Sequence, residues 1–207
     1  MKEKNATPGK KKTDRTRDKL FAAAKRLFAQ KGYDGVTVDE ICQAAGLSKN
    51  VFYACFSSKH DLIVGQIREI DEEQMKIFEA LPPEASCVER LLKFAEFQAN
   101  YVRQCGMEIF RTLYHEELAP RAKRRYLTDE TRPLYIKTRE LAERGQACGE
   151  LREDVDSREI ASLLVTGLRG VTLDWIFSDG KGDLAQSSVR MVSQLIEGFR
   201  KKRESDE

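Results

Sequence analysis

Three polar side chains in the first third of the chain have the chemistry and spacing of a DNA contact. Lys49, Asn50 and Tyr53 lie on one face if the surrounding residues are helical. Side chains of these types can contact phosphate oxygens or base edges in a major groove. We therefore expect all three to point outward toward DNA, with Asn50 as the candidate for reading a base.

Two helix caps and a glycine indicate the elements that would hold these side chains. Thr37 followed by Glu40 forms a capping box, which predicts a helix from about residue 38. Gly46 can adopt the left-handed conformation that ends this helix, and Ser48 can cap the next one. Two short helices joined by a glycine turn predict a helix-turn-helix, whose second helix enters the major groove.

Apolar residues around this turn can fill a shared interior, and a third cap follows. The expected interior residues are Ile41, Cys42, Ala45, Leu47 and Phe52. Ser58 with Asp61 repeats the cap signature and predicts a further helix that carries Lys59 in its first turn.

Residues 13 to 62 contain LFAQKGYDGVTVDEICQAAGLSKNVFYACFSSKHDL, which resembles the DNA-binding domain of the TetR family, the tetracycline-repressor-like bacterial regulators. The resemblance implies phosphate contacts by Lys49, Tyr53 and Lys59. The expected DNA-binding residues are Thr37, Ser48, Lys49, Asn50, Tyr53 and Lys59. The pattern departs from the family at Asn50, Val51, Ala54 and Cys55, so the operator sequence cannot be taken from relatives.

The charge distribution independently favours a nucleic-acid partner. Residues 1 to 60 contain 13 Lys and Arg against 6 Asp and Glu, a net charge of +7, and the remainder carries −5. A basic first part on an acidic remainder is expected if only the first part meets phosphates. Residues 1–12 are predicted to be a basic flexible arm, which either contacts DNA or only solubilises the chain.

Length and composition predict a cytoplasmic protein, and helical periodicity along the chain predicts an all-α fold. The chain has 207 residues, with 41% hydrophobic residues and no run of about 20 apolar residues that could span a membrane. An N-terminal signal segment is not expected. The five cysteines have no regular spacing, so we expect reduced thiols. The predicted domains are a helix-turn-helix domain at 13–60 and a larger helical domain at 61–207.

Helical periodicity continues to the end of the chain. We predict helices over 14–31, 59–80, 86–104, 107–118, 156–177 and from 183 onward, with 121–147 helical around Pro133. That proline either interrupts a helix or occupies its first turn.

The last two helices carry apolar stripes, and GELREDVDSREIASLLVTGLRGVTLDWI resembles the family's dimerisation region. The resemblance implies a homodimer held by a four-helix bundle; the alternative is that both helices only close a monomer core. The expected interface residues are Leu164, Leu168, Val171, Trp175, Val192, Leu195 and Phe199.

Aromatic residues are frequent between the predicted connecting helix and residue 145. The family encloses its effector pocket in this region, which implies an unknown small apolar or aromatic effector. The candidate pocket residues are Phe78, Phe94, Phe97, Gln98, Tyr101, Phe110, Tyr114, His115 and Tyr135. Most of these rings are expected to be core, and His115 is expected to lie at the surface.

These features predict a DNA-binding transcriptional regulator, and the resemblance implies a repressor released from a palindromic operator when an effector moves the helix that begins near Lys59. The alternatives are a helical protein-interaction module, or a regulator controlled by a protein partner or by thiol oxidation, with Cys55 as the candidate thiol. Two histidines and scattered cysteines form no recognisable catalytic or metal-binding motif. We expect no enzyme activity, no cofactor and no metal.

Overall fold

A computed structural model describes residues 8–65, 82, 84–119 and 126–201, with side chains described from residue 15 onward. Over these residues the chain is all-helical, as predicted, apart from one isolated bridge between Leu151 and Arg200. The helices are α1 (Pro8–Lys31), α2 (Val38–Ala45), α3 (Lys49–Cys55), α4 (59–65 as described), α5 (Cys87–Cys105), α6 (Met107–Leu118), α7 (Pro133–Ala147), α8 (Ser157–Phe177) and α9 (Leu184–Phe199).

The start of α1 differs from the sequence prediction, and the start of α7 decides between two predicted alternatives. Helix α1 begins at Pro8, earlier than the predicted residue 14, so part of the predicted flexible arm is helical. The fixed φ of proline suits a first helical position, and the lysines that follow are good helix formers. Pro133 also occupies the first turn of its helix, which decides between the two alternatives for that residue. The predicted connecting helix beyond residue 65 lies outside the described residues.

The chain divides into two compact units. The first unit comprises Met1–Glu69 and Glu108–Tyr126, and the second comprises Ile70–Met107 and Leu127–Glu207. Residues 108–126, which the sequence analysis placed in the larger domain, therefore group with the helix-turn-helix.

The second unit is built on packed helices. Helix α5 packs on α7 and α9, and α8 packs on α7 and α9. The shared core includes Leu91, Phe94, Ala95, Leu141, Ile160, Leu164, Leu168, Val192 and Ile196. Helix α8 is long and apolar enough to cross a membrane by length and composition alone. Its apolar side chains Ile160, Leu164 and Leu168 lie in this core.

Two different carboxylates cap the start of α5. Ser86 and Glu89 form a capping box. The Glu150 carboxylate, far along the chain, accepts from the backbone amides of Cys87 and Val88, both at 3.1 Å. Burial opposes ionisation of Glu150, but these amides, the Cys148 thiol and Arg200 together hold the pKa of its carboxyl below the usual value.

Candidate nucleic-acid interface

The start of α2 is fixed by the predicted capping box. The Glu40 amide donates to Thr37 Oγ1 at 3.2 Å, and the Thr37 amide donates to Glu40 Oε2 at 2.8 Å. Lys31 Nζ donates to Glu40 Oε1 at 2.6 Å. The bond from Lys31, followed by those from the amide and hydroxyl of Thr37, lowers the pKa of Glu40 to about 2. The Thr37 hydroxyl is therefore engaged in holding the helix start, although the side chain is exposed.

The turn between α2 and α3 follows the predicted glycine geometry. Gly46 has φ 67°, and the Leu47 amide donates to Cys42 O at 2.9 Å. The first turn of α3 is capped by Ser48, whose Oγ accepts from the Val51 amide at 3.4 Å. Because a residue with a Cβ is strained at this φ, the glycine sets the angle at which α3 leaves the turn.

Buried side chains lock the two short helices together. Ile41 and Phe52 are fully buried and Cys42 is 4% exposed, as predicted. Ala45 and Leu47, also expected in the interior, are half-buried. The Phe52 ring packs against the rings of Tyr53 and Phe56. The side of α3 opposite Phe52 is therefore held in a defined orientation.

The outward face of α3 carries the predicted DNA-contact residues. Lys49, Asn50 and Tyr53 are exposed, with 57% of Tyr53 accessible. Ala54, which the sequence analysis did not include in the site, is exposed beside them. Its position four residues after Asn50 is the signal that places it on the same face.

Lys49 has a local ion-pair partner, which the sequence analysis missed. Its Nζ lies 2.7 Å from Asp39 Oδ1 of α2, and both side chains are more than half exposed. An exposed pair of this kind contributes little to stability, so a phosphate can replace the carboxylate at low cost. In this structure Asp39 is the partner of the Lys49 ammonium.

Lys59 is engaged differently from Lys49. Its Nζ donates to Tyr33 O at 2.8 Å and to Val36 O at 2.7 Å, and lies 4.1 Å from the centroid of the Tyr33 ring. Burial, with Glu116 and Asp34, raises the pKa of Tyr33. In this structure Lys59 ties the start of α4 to the turn that follows α1. Its predicted phosphate contact stays a prediction.

Replacing Lys59 with methionine should destabilise the first unit and so increase the rate of backbone amide hydrogen exchange in α2 and α3. The variant keeps the apolar stem but leaves two carbonyls without their charged donor, a loss of about 2 kcal/mol. Hydrogen exchange is the suitable measurement, since the one tryptophan, Trp175, lies in the second unit. Lys49→Met, which removes an exposed ammonium, is the matched control. If Lys59→Met leaves hydrogen exchange unchanged but weakens DNA binding, the result would instead favour a phosphate contact by Lys59.

Arg17 of α1 supports the other end of α3, and no local sequence signal links the two. Its Nη1 donates to Cys55 O at 3.3 Å, and the guanidinium carbon lies 4.5 Å from the centroid of the Phe56 ring. Cys55 is half-buried beneath this contact. The carbonyl at the C-terminal end of α3 is thereby satisfied by a cation, which also suits the helix dipole.

The candidate pocket residues divide between the two units. Phe94 and Tyr135 lie in the core of the second unit, where Phe97, Gln98 and Tyr101 are half-buried on α5. In the first unit, α6 carries buried Phe110, half-buried Tyr114 and exposed His115. Phe78 lies outside the described residues. The expectation that many of these rings are core is met for Phe94, Phe110 and Tyr135.

The predicted dimer residues differ in their burial within a single protomer, and the interface stays a prediction. Leu164, Leu168 and Val192 are 2%, 6% and 1% exposed in a single protomer, so they belong to its core and have little surface for a partner. Val171, Trp175, Leu195 and Phe199 are half-buried. Outside the predicted interface set, Leu163 and Phe177 of α8 are 43% and 75% exposed.

Comparisons with known proteins agree with this geometry. Residues 20–64 match the family model described as bacterial regulatory proteins, tetR family. The chain is 28% identical over 196 residues to the HTH-type transcriptional repressor BepR of Brucella suis, covering 89% of this chain and 92% of that protein. It is 25% identical over 177 residues to the HTH-type transcriptional activator FasR of Mycolicibacterium smegmatis, covering 80% and 74%.

The fold also matches solved structures. A Thermus thermophilus FadR, described as a TetR family transcriptional repressor in complex with lauroyl-CoA, superposes with a TM-score of 0.69 at 22% identity, covering 92% of this chain and 98% of that chain. A capped helix-turn-helix with an exposed polar face, followed by a helical unit, defines a DNA-binding transcriptional regulator. Residues 20–64 therefore form a DNA-binding region of the tetR-family type, and the chain as a whole is similar to HTH-type transcriptional regulators.

Proposed function

We propose that the protein is a cytoplasmic, homodimeric repressor that leaves a palindromic operator when a small apolar or aromatic molecule binds. The observation that carries the DNA-binding part is the exposed face of Lys49, Asn50 and Tyr53 on a helix whose opposite side is locked by Phe52. A rigid helix with outward polar groups can enter a major groove without rearrangement.

The proposed dimer face lies on α8. Leu163, Gly170 and Phe177 are exposed at intervals of two helical turns, so they form one stripe. A Cβ added at Gly170 would have no atom within 4 Å, whereas one at Gly167 would clash with Met191 of α9. Gly170 therefore leaves room for close approach by a second copy. Two-fold symmetry then presents two α3 helices to half-sites of a palindrome, roughly 34–36 Å apart or somewhat more.

The proposed effector contacts centre on α5. Phe97 and Tyr101 are one helical turn apart and half-buried, and Gln98 beside them offers a polar group. An apolar ligand could cover these rings while the amide orients its polar end. The acyl chain and polar head of the lauroyl-CoA named for the Thermus FadR have this general character.

Release from DNA requires that the effector prefer the conformation that does not bind the operator. A 100-fold preference corresponds to about 2.7 kcal/mol, which suffices if the two conformations lie close in energy. BepR is named a repressor and FasR an activator, so similar proteins regulate in both directions. That this protein represses transcription is therefore part of the proposal.

The test begins with selection of an operator from random duplex DNA by the purified full-length protein. Lauroyl-CoA, lauric acid and an uncharged aromatic compound are then titrated into the protein–operator complex, and fluorescence anisotropy follows DNA release. Phe97→Ala should raise the releasing concentration at least tenfold, while Lys93→Ala, an exposed change on the same helix, should not. An operator without two-fold symmetry, or release unaffected by Phe97→Ala, would overturn the respective part of the proposal.

A further inference from the structure

Two cysteines and a glutamate meet where α7 ends and α5 begins. Cys87 Sγ, Cys148 Sγ and a carboxylate oxygen of Glu150 all lie within 4.8 Å of one another. The sequence analysis expected no metal site because the cysteines are scattered, but folding brings two of them together over 61 positions. We propose that Cys87, Cys148 and Glu150 bind a thiophilic divalent cation of the Zn²⁺ or Cd²⁺ type.

The backbone after α7 presents two of the three ligands. The Cys148 amide donates to Arg144 O at 3.0 Å, Gly149 has φ 76°, and the Glu150 amide turns back to Gly145 O at 2.8 Å. This left-handed turn ends the helix and directs the side chains on either side of the glycine toward α5. The turn is held further by the bridge between Leu151 and Arg200.

The third ligand and the supporting contacts come from α5. Cys87 is the first residue of that helix and is 3% exposed. Its amide and that of Val88 each hold one oxygen of the Glu150 carboxylate at 3.1 Å. Contacts of this kind orient a ligating carboxylate before the metal arrives. Cys148 is exposed, which leaves a path from solvent to the site.

The donor set selects the class of cation. Two thiolates and one carboxylate suit Zn²⁺ or Cd²⁺, whereas Mg²⁺ and Ca²⁺ prefer oxygen ligands alone. With Zn–S bonds of about 2.3 Å, the two sulfur atoms of a tetrahedral site lie about 3.8 Å apart. The observed spacing therefore needs side-chain adjustments of about 1 Å at most. A fourth position would remain for solvent on the Cys148 side.

Binding exchanges two thiol protons for the cation. Cys148 Sγ lies 3.3 Å from Glu150 Oε1 and donates its proton there. The metal ion takes the place of this proton and of the Cys87 proton, and both protons leave to solvent. The three anionic ligands exceed the charge of a divalent ion by one. The N-terminus of α5, together with Arg144 and Arg200 nearby, offsets that excess.

A disulfide between the same cysteines is the competing chemistry, and the carboxylate distinguishes the two. A disulfide would use only the sulfur atoms and would need an oxidant such as a peroxide. A cation would also use Glu150, so Glu150→Gln weakens metal binding even though both thiols remain.

The test uses tag-free full-length protein, reduced with a phosphine and kept without oxygen. Titration with Cd²⁺ should give a thiolate-to-metal charge-transfer band that saturates at one ion per protomer, and Zn²⁺ should remove the band by competition. Cys148→Ser should lower the affinity for Cd²⁺ at least tenfold and reduce the band by about half. Glu150→Gln should lower the affinity with the band intensity at saturation retained. Cys42→Ser, which removes a buried thiol elsewhere, is the matched control.

Stability gives a second readout that does not depend on the spectrum. Saturating Zn²⁺ should raise the melting temperature of the wild-type protein and of Cys42→Ser, but not of Cys148→Ser, because an ion that binds only the folded state stabilises it. No band in the reduced protein, or a band and stabilisation unchanged by Cys148→Ser, overturns the proposal. Loss of two thiols in air without Cd²⁺ binding after reduction would assign the pair to disulfide chemistry instead.

Discussion

Replacing Lys49 and Tyr53 together with alanine is expected to lower operator affinity by about 100-fold at moderate salt. Both side chains are exposed on α3, and the buried surface that the change removes is mainly the contact of the Tyr53 ring with Phe52. In a two-fold complex four contacts are lost, at about 1 kcal/mol each. Lys49 must leave Asp39 to reach a phosphate, which reduces its net contribution. The expected loss of binding free energy is therefore about 3 kcal/mol, which corresponds to the 100-fold decrease in operator affinity.

Salt dependence separates backbone contacts from base reading. Loss of one lysine–phosphate contact in each protomer should reduce the slope of log affinity against log salt by about 2 for the dimer. Asn50→Ala should leave this slope unchanged and relax preference at one base pair of each half-site. Binding is measured by fluorescence anisotropy on the selected operator and on single-base variants of it.

The matched control for the double variant is Lys181→Ala, which removes one exposed charge from the second unit. It should keep nearly full affinity, because its charge lies outside the outward face of α3. Circular dichroism and thermal melting should be unchanged in all of these variants. Wild-type affinity in the Lys49→Ala, Tyr53→Ala protein would contradict the assignment of this face to DNA.

The features that could be read from the sequence are those set by neighbouring residues. The capping box of Thr37 and Glu40 and the left-handed Gly46 depend on contacts within a few positions, and the structure confirms them. Phe52 could be assigned to the interior because, on a helix, it faces away from the side that carries Asn50 and Tyr53. Local chemistry therefore determines most of the helix-turn-helix.

The missed features depend on contacts between distant residues. Lys59 resembles a phosphate-binding lysine in its position, yet its ammonium bonds two carbonyls more than twenty residues earlier. The pairing of Cys87 with Cys148 has the same origin. Spacing along the chain carries no information about such contacts, because they depend on how helices pack.

Apolar periodicity also left the two sides of α8 unresolved. Leu163 and Leu164 are adjacent and chemically identical, but one is 43% exposed and the other 2% exposed. A stripe wide enough to include both predicts a buried helix and does not say which part a second protomer would cover. The structure supplies this distinction, and it changes which substitution tests the dimer.

Leu163→Glu is expected to give a folded monomer that no longer binds the operator at nanomolar concentration. In a single protomer the new carboxylate can reach solvent, so the fold tolerates it. In the proposed dimer it would be buried without a partner on both sides of the two-fold axis, at a cost of several kcal/mol.

Two further variants make that result specific. Leu168→Glu, at 6% exposure within the protomer core, should unfold the second unit and give insoluble protein instead of a monomer. Leu118→Glu places the same charge on a leucine that is 70% exposed in the first unit, and it should remain dimeric. Sedimentation velocity at micromolar concentration distinguishes these outcomes, and operator binding on the same samples relates assembly to function. A wild-type protein that sediments as a monomer would contradict the proposed dimer. A Leu163→Glu variant that stays dimeric would exclude the α8 stripe as the interface, because a dimer formed through that stripe would have to bury the new carboxylate.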